Sequence, residues 1–252
     1  MYRQTITSLQ HPIVKHLVEL RQKREYRAEC KTALLSGINS IRDMASSHRF
    51  KTVVIEQDYE PPFAFDSERT YICTAAIMKK ITAVSEPQPL AAEIEIPEEE
   101  EMEDKDFLLI LDSVSDPGNM GSLLRTALAL GWQGVFLTPN CSDPFNEKAL
   151  RAAKGATFKI PLKTGSWKEL DALRDARGRT FFAADSSGGP LKTVRAKTPL
   201  ALALGNEAKG LSKEITMRAR KIAIPMHQAM ESLNVAVAGA ILMFHLKEEI
   251  DA

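Results

Sequence analysis

Two polar loops, at residues 116–121 and 202–212, have residue types that suit an anionic or nucleoside ligand. In the first loop, residues 116–121, Asn119 can cap the helix that follows, and glycines allow close approach to the backbone. Arg125 lies off the apolar stripe of that helix, so we expect it to project from the first turns, near the carboxyl end of a sheet. An arginine there suits phosphate or carboxylate. The alternative is a surface arginine behind an ordinary cap.

The second loop joins an apolar strand to a helix over residues 202–212. The strand ends in Gly205-Asn206-Glu207, and Gly210 precedes a helix that Ser212 can cap. Small residues and exposed backbone N–H groups can surround a nucleoside. The loop matches neither GxGxxG nor GxxxxGK[ST], and the hydrolase motif GxSxG is missing. An ordinary polar turn is the alternative.

A third segment, residues 224–240, leads into an apolar helix. It begins Ile224-Pro225-Met226, and Ser232 is the expected cap of a helix that is apolar nearly all round. Such a helix must bury both sides. We expect one side to cover a sheet and the other to meet a second subunit, with a core helix in a monomer as the alternative.

An α/β fold with a parallel sheet is needed to bring these segments together. From Phe107 onward, apolar runs alternate with helical patterns, which predicts a sheet with helices on both faces. The predicted strands cover 107–111, 135–137, 181–184, 200–204 and 222–224. One predicted helix runs from Met120 to a capping Gly131, and the others fall near 145–153, 166–176, 212–219 and 232–249.

The part of the chain before residue 86 predicts a separate small α/β domain, residues 1–85. Its signals are an amphipathic helix opening at Pro12 and short strands at 53–55 and 71–73. The second domain is predicted over 86–252. It would begin with a strand near 90–96 and an acidic loop, 97–106, which charge repulsion should keep extended and solvated.

The formal net charge is zero, but the charges are unevenly distributed. Residues 1–51 hold ten Lys and Arg against four Asp and Glu, whereas residues 86–106 hold one against ten. A basic cluster with one aromatic, Tyr26, follows the first helix, which favours an anionic partner only slightly over a solvated surface. The cluster comprises Arg21, Lys23, Arg24 and Arg27.

The composition argues against a membrane protein, a secreted protein and a zinc protein. No apolar run is long enough to span a bilayer, and the first residues lack the build of a signal peptide. The three cysteines form no CxxC pair, which argues against a disulfide framework or a zinc site. We therefore expect a cytoplasmic protein with free thiols, no membrane segment and no metal.

Taken together, the three segments resemble the SpoU (TrmH) family of the SPOUT methyltransferases. The family motifs are matched in order and at similar separations by Asn119-x-Gly121-x-x-x-Arg125, by Gly205-Asn206-Glu207-x-x-Gly210 and by Ile224-Pro225-Met226 with Ser232 to Ala236. Any one match is weak, whereas the ordered set is highly specific. A fourth match begins at Arg151, although the family often has serine at Ala153.

The N-terminal part is also similar to family members. Residues 6–15 resemble the start of relatives that carry a ribosomal-protein-like RNA-binding domain. Ser36-Gly37 stands where those relatives usually have Glu-Gly, which leaves the target of this domain open.

The resemblance implies a C-terminal sheet with a deep trefoil knot, whose loops hold S-adenosylmethionine, and a catalytic pocket completed across a homodimer. The residues implied to bind the cofactor are Leu204, Gly205, Asn206, Gly210, Ile224, Met226, Ser232 and Leu233. The residues implied to serve catalysis are Asn119, Arg125, Glu207, Ser232 and Asn234. A guanidinium stays protonated, so we favour a charge-stabilising role for Arg125. The other four are orienting or proton-accepting groups, which the sequence does not rank.

The implied reaction is methyl transfer from S-adenosylmethionine to a ribose 2'-hydroxyl of RNA, without a metal. Ribosomal RNA is the favoured substrate by analogy with relatives that carry an N-terminal domain. Transfer RNA is one alternative, and a non-catalytic RNA-binding or ribosome-assembly protein of the same fold is another. Arg151 and the basic cluster are the predicted RNA contacts.

Overall fold

The structure is a computed structural model that describes residues 2–227 and 229–251. The chain divides into two compact units. The first unit contains the residues up to Pro97 together with a later segment, Phe145–Gly155. The second unit contains Glu98–Pro144 and the residues from Ala156 onward.

A mixed sheet forms the centre of the first unit. Its strands are β1 (Tyr2–Ile6), β2 (Thr32–Ser36), β3 (Phe50–Glu56), β4 (Ser67–Cys73) and β5 (Leu90–Glu95). Their spatial order is β1-β4-β3-β5-β2. Strands β1, β4 and β3 run parallel, and β5 pairs antiparallel with β3 and with β2. The helices of this part are α1 (Pro12–Gln22), α2 (Arg24–Cys30), α3 (Ile38–Ala45) and α4 (Ala75–Thr82).

Helix α1 forms where the sequence predicts it. The His11 side chain accepts a hydrogen bond of 3.3 Å from the Ile13 N–H, and Pro12 occupies the first helical position, where a missing N–H costs nothing. Its inner face is fully buried against the sheet and comprises Ile13, Val14, Leu17 and Leu20. Because these residues recur at helical spacing, the periodicity was sufficient to predict the helix.

The boundary between the units differs from the expected one. The strand predicted at 90–96 forms as β5, but its hydrogen-bonded neighbours are β2 and β3 of the first unit. The first unit therefore reaches Pro97 and does not end at residue 85. The segment Phe145–Gly155 lies against β2 and α3, where the Met44 side chain approaches Gly155. Local patterns cannot reveal such long-range pairing.

The second unit is built on an all-parallel sheet, as predicted. Its strands are β6 (Phe107–Leu111), β7 (Gly134–Leu137), β8 (Leu162–Thr164), β9 (Thr180–Pro190), β10 (Leu200–Leu204) and β11 (Arg220–Ala223). Their order is β11-β9-β10-β6-β7-β8. Every residue of β6 and of β10 is buried, which explains their uninterrupted apolar sequences. The trefoil knot implied by the resemblance stays a prediction.

Helices flank this sheet, in agreement with the expected α/β class. The remaining helices are α5 (Pro117–Ala129), α6 (Glu147–Ala153, in the first unit), α7 (Trp167–Asp175), α8 (Lys213–Thr216) and α9 (Val235–Asp251). Gly239 lets α9 approach closely, since a Cβ there would lie 2.5 Å from Leu123 of α5 and 2.6 Å from Leu204 of β10. No helix in the described part of the chain has the length and apolar content to cross a bilayer.

The acidic loop is held more firmly than charge repulsion predicts. Its carboxylates are largely exposed, but the guanidinium of Arg179 donates hydrogen bonds to the carbonyl groups of Met102, Glu103 and Lys105. Burial lowers the pKa of Arg179. The Met102 side chain is buried in the core of the second unit. The loop is therefore fastened at its backbone, and only its charged side chains remain in water.

Candidate active site

A closed hairpin follows β10 at the carboxyl end of the parallel sheet. Asn206 and Gly210 exchange two backbone hydrogen bonds of 2.9 Å. A Cβ on Gly205 would lie 2.5 Å from the carbonyl carbon of Gly210, and Gly210 itself has φ of +70°. The Asn206 side-chain oxygen accepts from the N–H groups of Ala208 and Lys209, at 3.0 Å each. Both glycines are therefore required by geometry.

The hairpin is fastened to the loop that follows β6. The buried carboxylate of Asp112 accepts a hydrogen bond of 2.7 Å from the Ser212 N–H. The Asn206 side-chain amide donates to the Ser113 carbonyl at 2.8 Å. Ser212 also caps α8, as predicted, by accepting from the Ile215 N–H. The strand ends of β6 and β10 are thus joined by side-chain hydrogen bonds.

Glu207 is surrounded by donors from the start of α5. Its carboxylate accepts from the Asn119 side-chain amide at 3.0 Å, from the Ser115 hydroxyl at 3.0 Å, and from the N–H groups of Ser115 and Asp116 at 3.3 Å each. Partial burial favours the neutral acid, but the hydrogen bonds from Asn119 and Ser115 outweigh it and lower the pKa of Glu207. The carboxylate is therefore ionised at neutral pH and a weak base, which favours the orienting role.

Asn119 connects the second and third motifs. Its side-chain oxygen accepts a hydrogen bond of 3.0 Å from the Asn234 side-chain amide, while its own amide is bound to Glu207. Asn119 does not cap α5, because the Asp116 carboxylate accepts from the Asn119 N–H at 2.8 Å and takes that role. The Asn119 side chain is consequently available to bridge two loops.

Asn234, and not Ser232, caps α9. The helix begins at Val235, and the Asn234 side-chain oxygen accepts from the N–H groups of Ala236 at 2.9 Å and Val237 at 3.3 Å. Asparagine and serine are nearly equal as caps, so the sequence does not decide between them. Ser232 lies instead in the exposed segment before the helix, where it lines the candidate site.

Arg125 is exposed on α5 and lines neither of the cavities described below. It is the ninth residue of a helix that begins at Pro117, so it lies in the third turn and not in the first turns as predicted. No hydrogen bond or ion pair joins its guanidinium to another residue within 2–227 and 229–251. An exposed cation without a protein partner can receive an anion from outside this chain.

Two adjoining cavities lie between the hairpin, β9 and the start of α9. The larger, about 370 Å³, contains four of the predicted cofactor residues, Leu204, Gly205, Asn206 and Gly210. The smaller, about 170 Å³, contains Ile224 and Met226. Ser232 and Leu233 line both, as do Ala184 and Ala238. The structure thus brings all eight predicted cofactor residues around one continuous site.

Several lining residues were not predicted. Among them are Asp185, Ser186, Leu211, Ile222, Val235 and Leu242. A signal existed for Asp185, because it directly follows the predicted strand at 181–184, and parallel strands bind ligands at their carboxyl ends. Lys221 contacts Asp185 at 2.8 Å, and the hydrogen bonds from Lys221 and Ser187 lower the pKa of Asp185 to about 2.

The predicted RNA contacts lie in the first unit and differ in accessibility. Lys23 and Arg24 are exposed, and Lys23 also pairs with Glu19 at 2.6 Å. Arg21 is partly buried, and Arg151 pairs with Glu147 on α6.

The structure does not support Arg27 as an RNA contact. Only 3% of it is exposed, and its guanidinium donates to the carbonyl groups of Leu20 and Arg21 at the end of α1. It holds α1 against α2 and is not accessible to a phosphate. The sequence pattern missed this because a basic cluster gives no sign of which cation turns inward.

One face of α9 leaves large apolar side chains exposed. Val237, Ile241 and Phe244 are 49%, 40% and 54% exposed, and their spacing places them on one side of the helix. The opposite side, which includes Leu242, Met243 and Leu246, is buried. The helix therefore covers the sheet with one side, as predicted, and presents an apolar stripe on the other.

Comparison with known proteins extends over both units. A family model described as the SpoU rRNA methylase family matches residues 106–244. The chain is 31% identical over 246 residues to the 23S rRNA (guanosine(2553)-2'-O)-methyltransferase RlmP of Bacillus subtilis (strain 168), covering 96% of this chain and 98% of that protein. It is 25% identical over 307 residues to the mitochondrial rRNA methyltransferase 3B of Danio rerio, covering 96% and 67%.

Solved structures show the same architecture. An rRNA methyltransferase from Sinorhizobium meliloti, solved with AdoMet bound, is similar with a TM-score of 0.85 at 26% identity, covering 98% of each chain. A TrmH-family structure from Porphyromonas gingivalis is similar with a TM-score of 0.83 at 28% identity, covering 96% of this chain and 99% of that one.

Proposed function

This chain belongs to the SpoU rRNA methylase family, and on that premise we propose that it methylates the 2'-hydroxyl of a ribose in RNA, with S-adenosylmethionine as methyl donor. The observation that carries the proposal is the chain of hydrogen bonds from Asn234 through Asn119 to Glu207 beside the hairpin cavity. It joins all three motifs at one site. Ribosomal RNA is the proposed substrate, in line with the relative from Bacillus subtilis, and transfer RNA is the alternative.

The residues of the two cavities fit S-adenosylmethionine. The smaller cavity has apolar walls, including Ile222, Ile224 and Leu242, which suit the flat face of an adenine. The larger one offers the backbone of the Gly205–Gly210 hairpin and the side chains of Ser232 and Asn234 to ribose hydroxyls and polar groups. When bound, S-adenosylmethionine supplies an electrophilic methyl group on a cationic sulfur, with a thioether as leaving group.

The residues of this chain then contribute orientation and charge. Glu207 stays ionised and holds Asn119, which in turn holds Asn234 at the cavity wall. Fixing the two reactants in line can supply roughly 7–11 kcal/mol of the barrier. Arg125 has a guanidinium free to hold an RNA phosphate and to stabilise negative charge that develops on the 2'-oxygen.

We further propose a homodimer through the C-terminal unit. The exposed stripe on α9 supports it, because three large apolar side chains on one helix face are typical of an interface. Arg125 supports it as well, since it lines neither cavity of its own chain, and the Arg125 of a second copy can complete the site. We also propose the trefoil knot and a cytoplasmic location, both in line with the similarity to the rRNA methyltransferase of Bacillus subtilis.

The first unit is proposed to bind RNA through the exposed cations Lys23 and Arg24. The partly buried Arg21 and Arg151, which pairs with Glu147, are proposed as further contacts. This leaves a second candidate function, a non-catalytic RNA-binding or ribosome-assembly protein. The intact network of Asn119, Glu207 and Asn234 favours the enzyme.

The test is transfer of a labelled methyl group from S-adenosylmethionine to total ribosomal RNA, followed by nuclease digestion to nucleosides. We expect label in 2'-O-methyl nucleosides, and a parallel reaction with transfer RNA decides between the two substrates. Label in a base would refute the reaction class. Tight RNA binding without S-adenosylmethionine binding would instead support the non-catalytic alternative.

A further inference from the structure

Ser115 lies in the loop between β6 and α5, outside the residues that line the two cavities. It is nevertheless bonded to two polar residues of the cofactor hairpin, Asn206 and Glu207. Its hydroxyl accepts a hydrogen bond of 3.2 Å from the Asn206 side-chain amide. The same hydroxyl donates to Glu207 at 3.0 Å, and the Ser115 N–H donates to the same carboxylate oxygen at 3.3 Å.

We propose that Ser115 is a positioning residue for methyl transfer, which couples the cofactor hairpin to the polar network at the start of α5. The proposal rests on the methyltransferase function proposed above. Ser115 acts through Asn206 and Glu207, and touches neither reactant.

The two oxygens of Glu207 have separate tasks. Among the hydrogen bonds that Glu207 accepts from other described residues, those to Oε2 come from the Ser115 N–H and hydroxyl, whereas those to Oε1 come from the Asp116 N–H and the Asn119 side chain. Without the Ser115 hydroxyl, Oε2 keeps one long hydrogen bond, and the carboxylate can rotate away from Asn119. Asn119 then loses the partner of its side-chain nitrogen, which keeps its side-chain oxygen directed at Asn234.

Ser115 also completes the attachment of the hairpin. Asp112 holds the far end of this segment through the Ser212 N–H at 2.7 Å, and Ser113 and Ser115 hold its near end through the Asn206 amide. Asn206 closes the hairpin by bonding to Gly210. Loosening Asn206 therefore alters the wall of the larger cavity, which we expect to weaken binding of the cofactor.

A matched pair of substitutions isolates the hydroxyl. Ser115→Thr keeps it, and Ser115→Val has the same shape as threonine without it. Ser115 is exposed and does not have a positive φ, so both side chains fit the backbone. We expect Ser115→Val to weaken S-adenosylmethionine binding by about tenfold, as when a hydrogen bond to a carboxylate is lost, and Ser115→Thr to stay near wild type.

The experiment uses the full chain and measures S-adenosylmethionine affinity by calorimetry, methyl transfer at saturating cofactor, and thermal unfolding. Transfer should fall about tenfold in Ser115→Val even at saturation, because Asn119 is released as well. The control is Thr193→Val, which removes an exposed hydroxyl bonded to the Pro190 carbonyl, away from this network.

Equal affinity and equal transfer rate in the valine and threonine variants would overturn the positioning role. So would losses in both that follow only their unfolding temperatures, since that outcome reports a structural role. If wild-type protein binds the cofactor but methylates no RNA, the proposed function fails, while the affinity comparison still decides for or against the coupling through Ser115.

Discussion

The side-chain amide of Asn234 donates a hydrogen bond of 3.0 Å to the side-chain oxygen of Asn119, across 115 residues of sequence. Asn234 also caps α9, and Asn119 also donates to Glu207. The side chain of Asn234 therefore has two roles. It fixes the start of α9, whose outer face is apolar, and it holds the polar residues of the site in place.

A single substitution can remove the hydrogen bond from Asn119 to Glu207 and keep the one from Asn234 to residue 119. Asn119→Asp places a carboxylate oxygen about 3 Å from Glu207 and repels it, while Asn234 can still donate to the new side chain. We expect S-adenosylmethionine affinity and methyl transfer each to fall about tenfold or more. Calorimetry and the methylation assay measure this. Asn146→Asp is the control, because aspartate caps α6 as well as asparagine does. Wild-type values for Asn119→Asp would contradict the orienting role.

Arg125 should matter for transfer and not for folding. Because its side chain is exposed, Arg125→Ala should leave thermal unfolding and cofactor affinity near wild type, while methyl transfer falls by about a hundredfold or more. Partial rescue by Arg125→Lys would indicate charge, and no rescue would indicate bidentate geometry. Arg174→Ala is the control, because it removes a partly exposed arginine on α7 that lines neither cavity. A wild-type rate for Arg125→Ala would exclude the mechanism proposed here.

The two glycines of the hairpin predict loss of cofactor binding. Gly205→Ala introduces a Cβ 2.5 Å from the Gly210 backbone, and Gly210→Val forces a branched residue to φ of +70°. We expect affinity for S-adenosylmethionine to fall more than about tenfold with the fold retained, at a stability cost of about 1–3 kcal/mol. Gly189→Ala, where a Cβ meets nothing within 4 Å, serves as control. Unchanged affinity in both variants would show that the cofactor does not bind at this hairpin.

Asp185 predicts a specific dependence of stability on pH. Its folded pKa of about 2 lies below the ordinary 3.8, so its ion pair with Lys221 stabilises the fold fully above about pH 4 and is lost as pH falls toward 2. Urea unfolding should show Asp185→Asn less stable than wild type near neutral pH, with the difference shrinking in that acid range. A constant difference across it would show that the carboxylate is not the cause.

The stripe on α9 predicts the oligomeric state. Sedimentation should give about twice the chain mass of 27.9 kDa, and Phe244→Glu should reduce it to the monomer without unfolding, because Phe244 is 54% exposed in the single chain. Met217→Glu changes a methionine away from α9 that is 77% exposed, and it should leave the dimer intact. A wild-type monomer with full activity would count against the interface.

Local sequence predicted those features that depend on neighbours along the chain. The apolar run of β6 was predicted with its bounds, because burial on both faces requires it. The polar loop around Gly205 and Gly210 was predicted as well, but its closure into a hairpin was not. The pairing of β5 with β2 and β3 was not predicted, because the local sequence of a strand does not specify which strand it pairs with.

The sequence also could not show which of two chemically similar residues takes a given structural role. Ser232 and Asn234 are nearly equal as caps, and Arg24 and Arg27 look alike in a basic cluster. Only the folded chain shows that Asn234 reaches the first turn of α9 and that Arg27 turns inward. Ser115 escaped notice for a similar reason, since its two partners lie about ninety residues away.

The membership of Phe145–Gly155 in the first unit has a consequence for biosynthesis. A nascent chain that has emerged as far as Pro97 lacks the segment that covers β2, and it obtains that segment only after nearly fifty residues of the second unit have followed. At about 5–20 residues per second, the wait is on the order of seconds. During translation the N-terminal part must therefore persist with one side of β2 unfinished, and the two units mature together and not one after the other.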